Sequence, residues 1–133
     1  MSGLKIEDFR EQTLELGNDY EGRVIATVIH SPKNEAGKPS VLYLHGFNDY
    51  FFQAHVAEKF HEHGYNFYAL DLRKYGRSLL PHQHPNYCRS LTEYFEEIDQ
   101  TIQIIQEERS TEIVLLGHSA GGLIGSYYMN KGE

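Results

Sequence analysis

The segment Gly117-His118-Ser119-Ala120-Gly121 places a serine between two glycines in a G-x-S-x-G pattern. An apolar run, Ile113-Val114-Leu115-Leu116, leads into it, and a stretch with helical character, Leu123 to Met129, follows it. That context is a strand-to-helix turn, in which a serine is held in a strained backbone conformation with its hydroxyl projecting above the sheet. The flanking glycines let neighbouring backbone come close without a side-chain clash. The helix that follows aims its unpaired N–H groups at the reacting centre. The chemistry implied is nucleophilic attack by Ser119 on an acyl carbon.

Such a serine must be carried by a rigid sheet. Val41-Leu42-Tyr43-Leu44, Asn66-Phe67-Tyr68-Ala69-Leu70 and Ile113-Val114-Leu115-Leu116 are continuous apolar runs, the signature of strands covered on both faces. Arg23 to Ile29 is β-branched and reads as a further strand. Residues 31–39, with two prolines and a glycine, read as a turn. Phe52, Val56 and Phe60 recur every fourth residue, and Gly64 stands where that helix would stop. Phe95, Ile98, Ile102 and Ile105 form one apolar stripe, and Ser90-Leu91-Thr92-Glu93 before it fits a capping box. Alternating strands and helices predict an α/β fold, a parallel-rich sheet with helices on both faces. Ligands of such sheets bind beyond the carboxyl ends of the strands. Those ends are His45-Gly46-Phe47, Asp71-Leu72-Arg73 and Gly117-His118-Ser119.

Two further segments bear on the same rim. His45-Gly46-Phe47 ends a strand, where acyl transfer needs two N–H donors aimed at a developing oxyanion. Asp71-Leu72-Arg73-Lys74-Tyr75-Gly76-Arg77-Ser78 reads as a structural Asp–Arg loop network. Taken together and in this order, the three segments resemble the α/β-hydrolase superfamily. Within it they are most similar to the monoacylglycerol-lipase, lysophospholipase and serine-aminopeptidase-like group. The resemblance implies Ser119 as nucleophile and the backbone N–H groups of Phe47 and Ala120 as the oxyanion hole. It assigns His45, Gly46, Gly117, His118 and Gly121 to support of the loop and the elbow. It implies no cofactor and no metal. Lys74 stands where the family's D-x-R-G-x-G-x-S segment has its first glycine, a departure expected to alter the local turn. Serine at position 119 argues against haloalkane dehalogenase or epoxide hydrolase chemistry, in which that position is an aspartate.

The family orders its triad as nucleophile, acid, histidine. Only 14 residues follow Ser119; they contain no histidine, and their sole acid is Glu133. The sequence therefore reads as the N-terminal portion, residues 1–133, of one α/β-hydrolase domain, with residues 1–22 as an edge strand or arm. It would be an engineered fragment, a proteolytic product or half of a split gene, inactive alone for want of the acid and base. The strand at 113–116 would be left with an open apolar edge, through which the chain would self-associate or pair with a missing C-terminal half. Among eight histidines, His61-x-His63 and His82-x-His84 have metal-like spacing but no third ligand, and solvated surface histidines are the favoured reading. Residues 79–88 read as a connecting loop, and Cys88 as an inert thiol.

Composition limits the alternatives. The chain of 133 residues is the size of one domain, and 40% hydrophobic and 23% charged residues are globular proportions. A net charge of −7 disfavours nucleic acid as a partner. There is no apolar run long enough for a membrane span and no signal-like start, and the single cysteine fits a reduced, cytoplasmic setting. Three functions remain open: a carboxylic ester hydrolase acting on small acyl esters, lysophospholipids or monoacylglycerols among them; an aminopeptidase or amidase of the same fold; and a non-catalytic binding or assembly module that keeps the elbow.

Overall fold

The computed structural model describes residues 4–45, 54–108, 112–117, 124–125 and 128–129. Five strands form one sheet: β1 (Arg10–Asp19), β2 (Gly22–His30), β3 (Ser40–Leu44), β4 (Asn66–Asp71) and β5 (Ile113–Gly117). Helix α1 (Ala54–Glu62) joins β3 to β4, and α2 (Phe95–Glu108) lies between β4 and β5. The spatial order is β1-β2-β4-β3-β5. β3 pairs in parallel with β4 and β5, while β2 pairs antiparallel with β1 and β4. The sheet is thus mixed, with a parallel β4-β3-β5 block and an antiparallel hairpin along one side.

The two-residue period of a strand sorts the apolar runs onto two faces. Val41, Tyr43, Phe67, Ala69 and Ile29 pack with Ala54 and Ala57 of α1. Leu42, Leu44, Tyr68, Leu70, Ala26 and Val28 pack with Ile98 and Ile105 of α2. Helices therefore cover both faces, and every residue of β3 and β4 is buried. β5 ends the sheet among the described residues, so its burial is incomplete and Val114 is 48% exposed.

The helix ends follow their sequence signals. The Ser90 side chain accepts from the backbone at Thr92 and Glu93, and the Glu93 carboxylate accepts the Ser90 N–H at 3.2 Å. The resulting capping box opens a short 3-10 turn, Leu91–Tyr94, that runs directly into α2. α2 buries Ile98 and Ile105 as its stripe requires, but it also turns Glu97 and Thr101 inward. At the end of α1, Gly64 N–H donates to His61 O and Tyr65 N–H to Phe60 O, with Gly64 at φ +85°. That is a Schellman stop, and its customary hydrophobic contact is Phe60 against Tyr65, ring centroids 6.1 Å apart. Beyond β5, residues 124–125 and 128–129 are helical, within the expected 123–129 segment.

The space around Gly64 is open, so a substitution there meets only backbone strain. Gly64→Ala is expected to cost about 1 kcal/mol, read as a lower urea midpoint with an unchanged slope.

Candidate active site

The parallel register brings the expected chemistry to one rim. Leu44 of β3 lies opposite Leu70 of β4 on one side and Gly117 of β5 on the other. His45, Asp71 and Gly117 therefore leave three adjacent strands at the same level. On the far side of β4, Thr27 of β2 pairs with Asp71, so the hairpin turn at residues 20–21 runs on past this rim. Ser119, Ala120, His118, Gly121, Gly46 and Phe47 lie outside the described residues. In sequence they continue directly from the ends of β5 and β3.

His45 is 1% exposed and its ring lies 4.5 Å from that of Tyr75. Its Nε2 accepts the Leu72 N–H at 3.1 Å. A ring nitrogen that accepts carries no proton, so His45 is the neutral tautomer with its hydrogen on Nδ1. This bond ties the end of β3 to the chain leaving β4. His45 thus bridges the end of β3 and the exit of β4. With Nε2 occupied, it is not placed as a general base.

The segment after β4 is a polar lattice. Asp71 Oδ2 accepts the Arg77 backbone N–H at 3.2 Å and its Nη1 at 2.9 Å. Ser78 Oγ donates to Asp71 O at 2.7 Å and sits 3.0 Å from Thr27 Oγ1. Asp71 is the structural residue its loop suggested. Arg73 inserts into the interior against α2: its Nε and Nη2 donate to Glu97 at 2.8–3.2 Å, its backbone N–H donates to Glu97 Oε2 at 2.9 Å, and Nη2 reaches Glu96 at 3.0 Å. Burial pushes the Glu97 carboxyl up, against the pull of Arg73. Burial also disfavours charge on Arg73, yet the bonds to Glu97 and Glu96 outweigh it and hold the guanidinium above its ordinary value.

Lys74, expected to disturb the turn, instead takes the left-handed conformation itself, at φ +66°. Its side chain is fully buried. The ammonium lies 2.7 Å from Asp19 Oδ2 and 2.8 Å from Glu21 Oε1, and stands 4.5 Å from the centre of the Tyr20 ring. The attraction to two carboxylates and an aromatic face offsets the strain of a non-glycine residue there. Arg89 stacks on Tyr20 at 3.8 Å, and Tyr87 meets the same ring edge-on. These groups clamp the β1–β2 turn onto residues 72–89 beside an open groove of about 620 Å³. Hydrogen bonds from Lys74 and His84 hold the Glu21 carboxyl down at about 2. Desolvation would raise Asp19, but its Lys74 bond prevails and lowers it. The sequence carried a sign of this at Lys74, a charged residue in a glycine position; nothing local marked Asp19, Tyr20, Glu21 or Glu97.

Each candidate metal histidine in the described residues has a protein partner. His61 bonds Ser31, His63 bonds Lys59 O, His82 bonds Arg23 O, and His84 pairs with Glu21. Cys88 is half-buried and packs against the α2-side core. No group of three or more His, Cys, Asp or Glu among the described residues is arranged to hold a metal.

Comparison with known proteins places this geometry in context. The family model for serine aminopeptidase, S33, matches residues 35–133. Human epoxide hydrolase 4 is 32% identical over 90 residues, which are 68% of this chain and 24% of that protein. Among solved structures, a thermostable carboxyl esterase from Bacillus coagulans superposes with a TM-score of 0.75 at 20% identity, covering 92% of this chain and 40% of the esterase. A monoglyceride lipase from Saccharomyces cerevisiae gives 0.68 at 19% identity, covering 98% and 41%. Both structural likenesses speak to the fold. The chain spans about a quarter of the curated relative and about two fifths of the two solved chains.

The Lys74 clamp has a pH signature. Carboxyls whose folded pKa is depressed stabilise the fold above their ordinary range, and that stability is lost as pH falls toward the folded value. For Glu21 the window runs from about 4.5 down to about 2. Lys74→Met is expected to destabilise the chain at pH 7, and the deficit should narrow steadily from pH 5 to pH 2 in denaturant titrations.

Proposed function

The chain belongs to the serine aminopeptidase S33 family of α/β-hydrolases, and from this we propose that Ser119 is the nucleophile of a carboxylic ester hydrolase. One observation carries the reading. β3 and β5 are adjacent, parallel and in register at Leu44 and Gly117, so the His-Gly-Phe and Gly-His-Ser-Ala-Gly segments begin side by side at one rim. A nucleophile needs its oxyanion donors within about 3 Å of the atom it attacks, and segments rising from neighbouring strand ends can supply both.

In this mechanism Ser119 Oγ attacks the acyl carbonyl, and the backbone N–H groups of Phe47 and Ala120 take up the oxyanion charge. The alcohol leaves, and water releases the acyl group in a second step. In this family the base and the acid that orients it follow the nucleophile in the chain. Residues 120–133 contain no histidine, and His45 Nε2 is already engaged by Leu72. Ser119 without an oriented base is a weak nucleophile, so it turns over ester only where that base is supplied. The outer edge of β5, with Val114 exposed, is where the complementing polypeptide pairs. The likeness to an epoxide hydrolase does not bring that chemistry, because serine occupies position 119. No helix among the described residues is long and apolar enough to cross a membrane, and one cysteine in the chain fits a cytoplasmic setting.

The family description favours a second reading, hydrolysis of an aminoacyl amide by the same serine. Steady-state rates on an aryl ester and an aminoacyl anilide, measured with the natural polypeptide that contains these residues, separate the two. Higher kcat/KM on the ester supports the first reading, and higher kcat/KM on the anilide supports the second. Ser119→Ala should lower kcat by about 10⁶-fold on the better substrate. Unchanged turnover in that variant would overturn both.

A further inference from the structure

A second serine in the described structure already sits on a histidine, far from the rim just described. Ser31 follows the end of β2, and its backbone N–H donates to Phe67 O at 3.3 Å. Phe67 lies four residues before Asp71, about 13 Å down β4. Ser31 is therefore near the opposite rim of the sheet, at the amino ends of β3 and β4.

The Ser31 Oγ and His61 Nε2 are 2.5 Å apart. The Lys33 backbone N–H donates to Ser31 Oγ at 3.3 Å, which leaves the serine proton to point at the histidine. The Tyr65 main chain lies close enough to this ring to favour its proton-bearing form, against the effect of burial. Nucleophile and base thus stand at the hydrogen-bond distance that covalent catalysis uses.

The pair is also held firmly. Asn34 brackets Phe67, donating from Nδ2 to its O at 3.1 Å and accepting its N–H at 2.8 Å. Asn66 brackets Glu35, accepting its N–H at 2.8 Å and donating to its O at 2.7 Å. These four bonds fix the turn that carries Ser31 against the strand next to α1. His61 occupies the last turn of α1, just before the Schellman stop at Gly64. It opens onto a groove of about 370 Å³ shared with Lys33, Glu35, Lys38, Glu58 and Glu62.

We propose that Ser31 and His61 form a second, independent nucleophile–base pair that accepts acyl groups from small activated esters. Ser31 Oγ bonds to the acyl carbon, and the ester C–O bond breaks. The alkoxide or phenolate leaves with the electron pair. His61 Nε2 takes the serine proton and passes it to the leaving group or to water. Ser31 is only 5% exposed, so short acyl chains are the class it accepts. This pair does not depend on Ser119 being a nucleophile.

The test is acetylation of the chain by p-nitrophenyl acetate, mapped to individual residues by peptide mass spectrometry. It is run in wild type, Ser119→Ala, Ser31→Ala and His61→Gln. One acetyl on Ser31 is expected in wild type and equally in Ser119→Ala. His61→Gln should slow that labelling by about 10²-fold while thermal unfolding confirms the fold. Labelling of lysines without Ser31, or labelling of Ser31 in His61→Gln at the wild-type rate, overturns the proposal. The pH profile in wild type decides independently of any variant. Burial first, then the charges of Lys33 and Lys38, lower His61 against the opposing pull of the Tyr65 main chain and Glu35. The Ser31 rate should therefore rise to a plateau with a midpoint below the ordinary histidine value. A rate that climbs only in the alkaline range overturns the proposal as well.

Discussion

The pairing of β3 between β4 and β5 is the constraint on which the rest of the structure depends. It is parallel on both sides, so every carboxyl end in the block points the same way. It is buried on both faces, which fixes the register, since a slip of one residue would carry Leu42 and Leu44 to the α1 side and Val41 and Tyr43 to the α2 side. Because Leu44, Leu70 and Gly117 are level, three loops begin at one height, and chemistry divided among them can converge. The antiparallel hairpin does not alter that alignment. It extends past the same rim and is bolted to the loop after β4.

That bolt and the Arg73–Glu97 pair show how the chain stabilises the loops that frame a site. Both bring charge into the interior, and both meet it with several hydrogen bonds from opposite charge. Ion pairs buried in this way contribute less to net stability than to a single arrangement, because removing one partner strands the other. His45 acts in a smaller way: one neutral ring bond joins the end of β3 to the exit of β4. The site is thus surrounded by groups committed to geometry.

Much of this was legible in the sequence because it is local. The apolar runs at 41–44, 66–70 and 113–116 are strands, and the stripe from Phe95 to Ile105 is a helix opened by its Ser90–Glu93 box. The Gly64 stop was visible for the same reason. What escaped is non-local. Lys74 meets Asp19 from 55 residues away, and Ser31 meets His61 from 30 away. Glu97 is fixed by Arg73 from 24 residues away, and no local pattern in α2 marks it as buried. β1 carries no continuous apolar run, since it lies at a sheet edge with Leu14 as its one buried residue. The elbow and the oxyanion loop were read from residue types; Ser119 itself is beyond the described residues, so its role rests on the family and on the register of the strand leading to it.

That role is tested most directly by trapping the nucleophile. A fluorophosphonate, applied to the natural polypeptide that contains these residues and located by peptide mass spectrometry, should leave its phosphonyl group on Ser119 in stoichiometric amount. An adduct confined to another residue, or full labelling that persists in Ser119→Ala, would contradict the account.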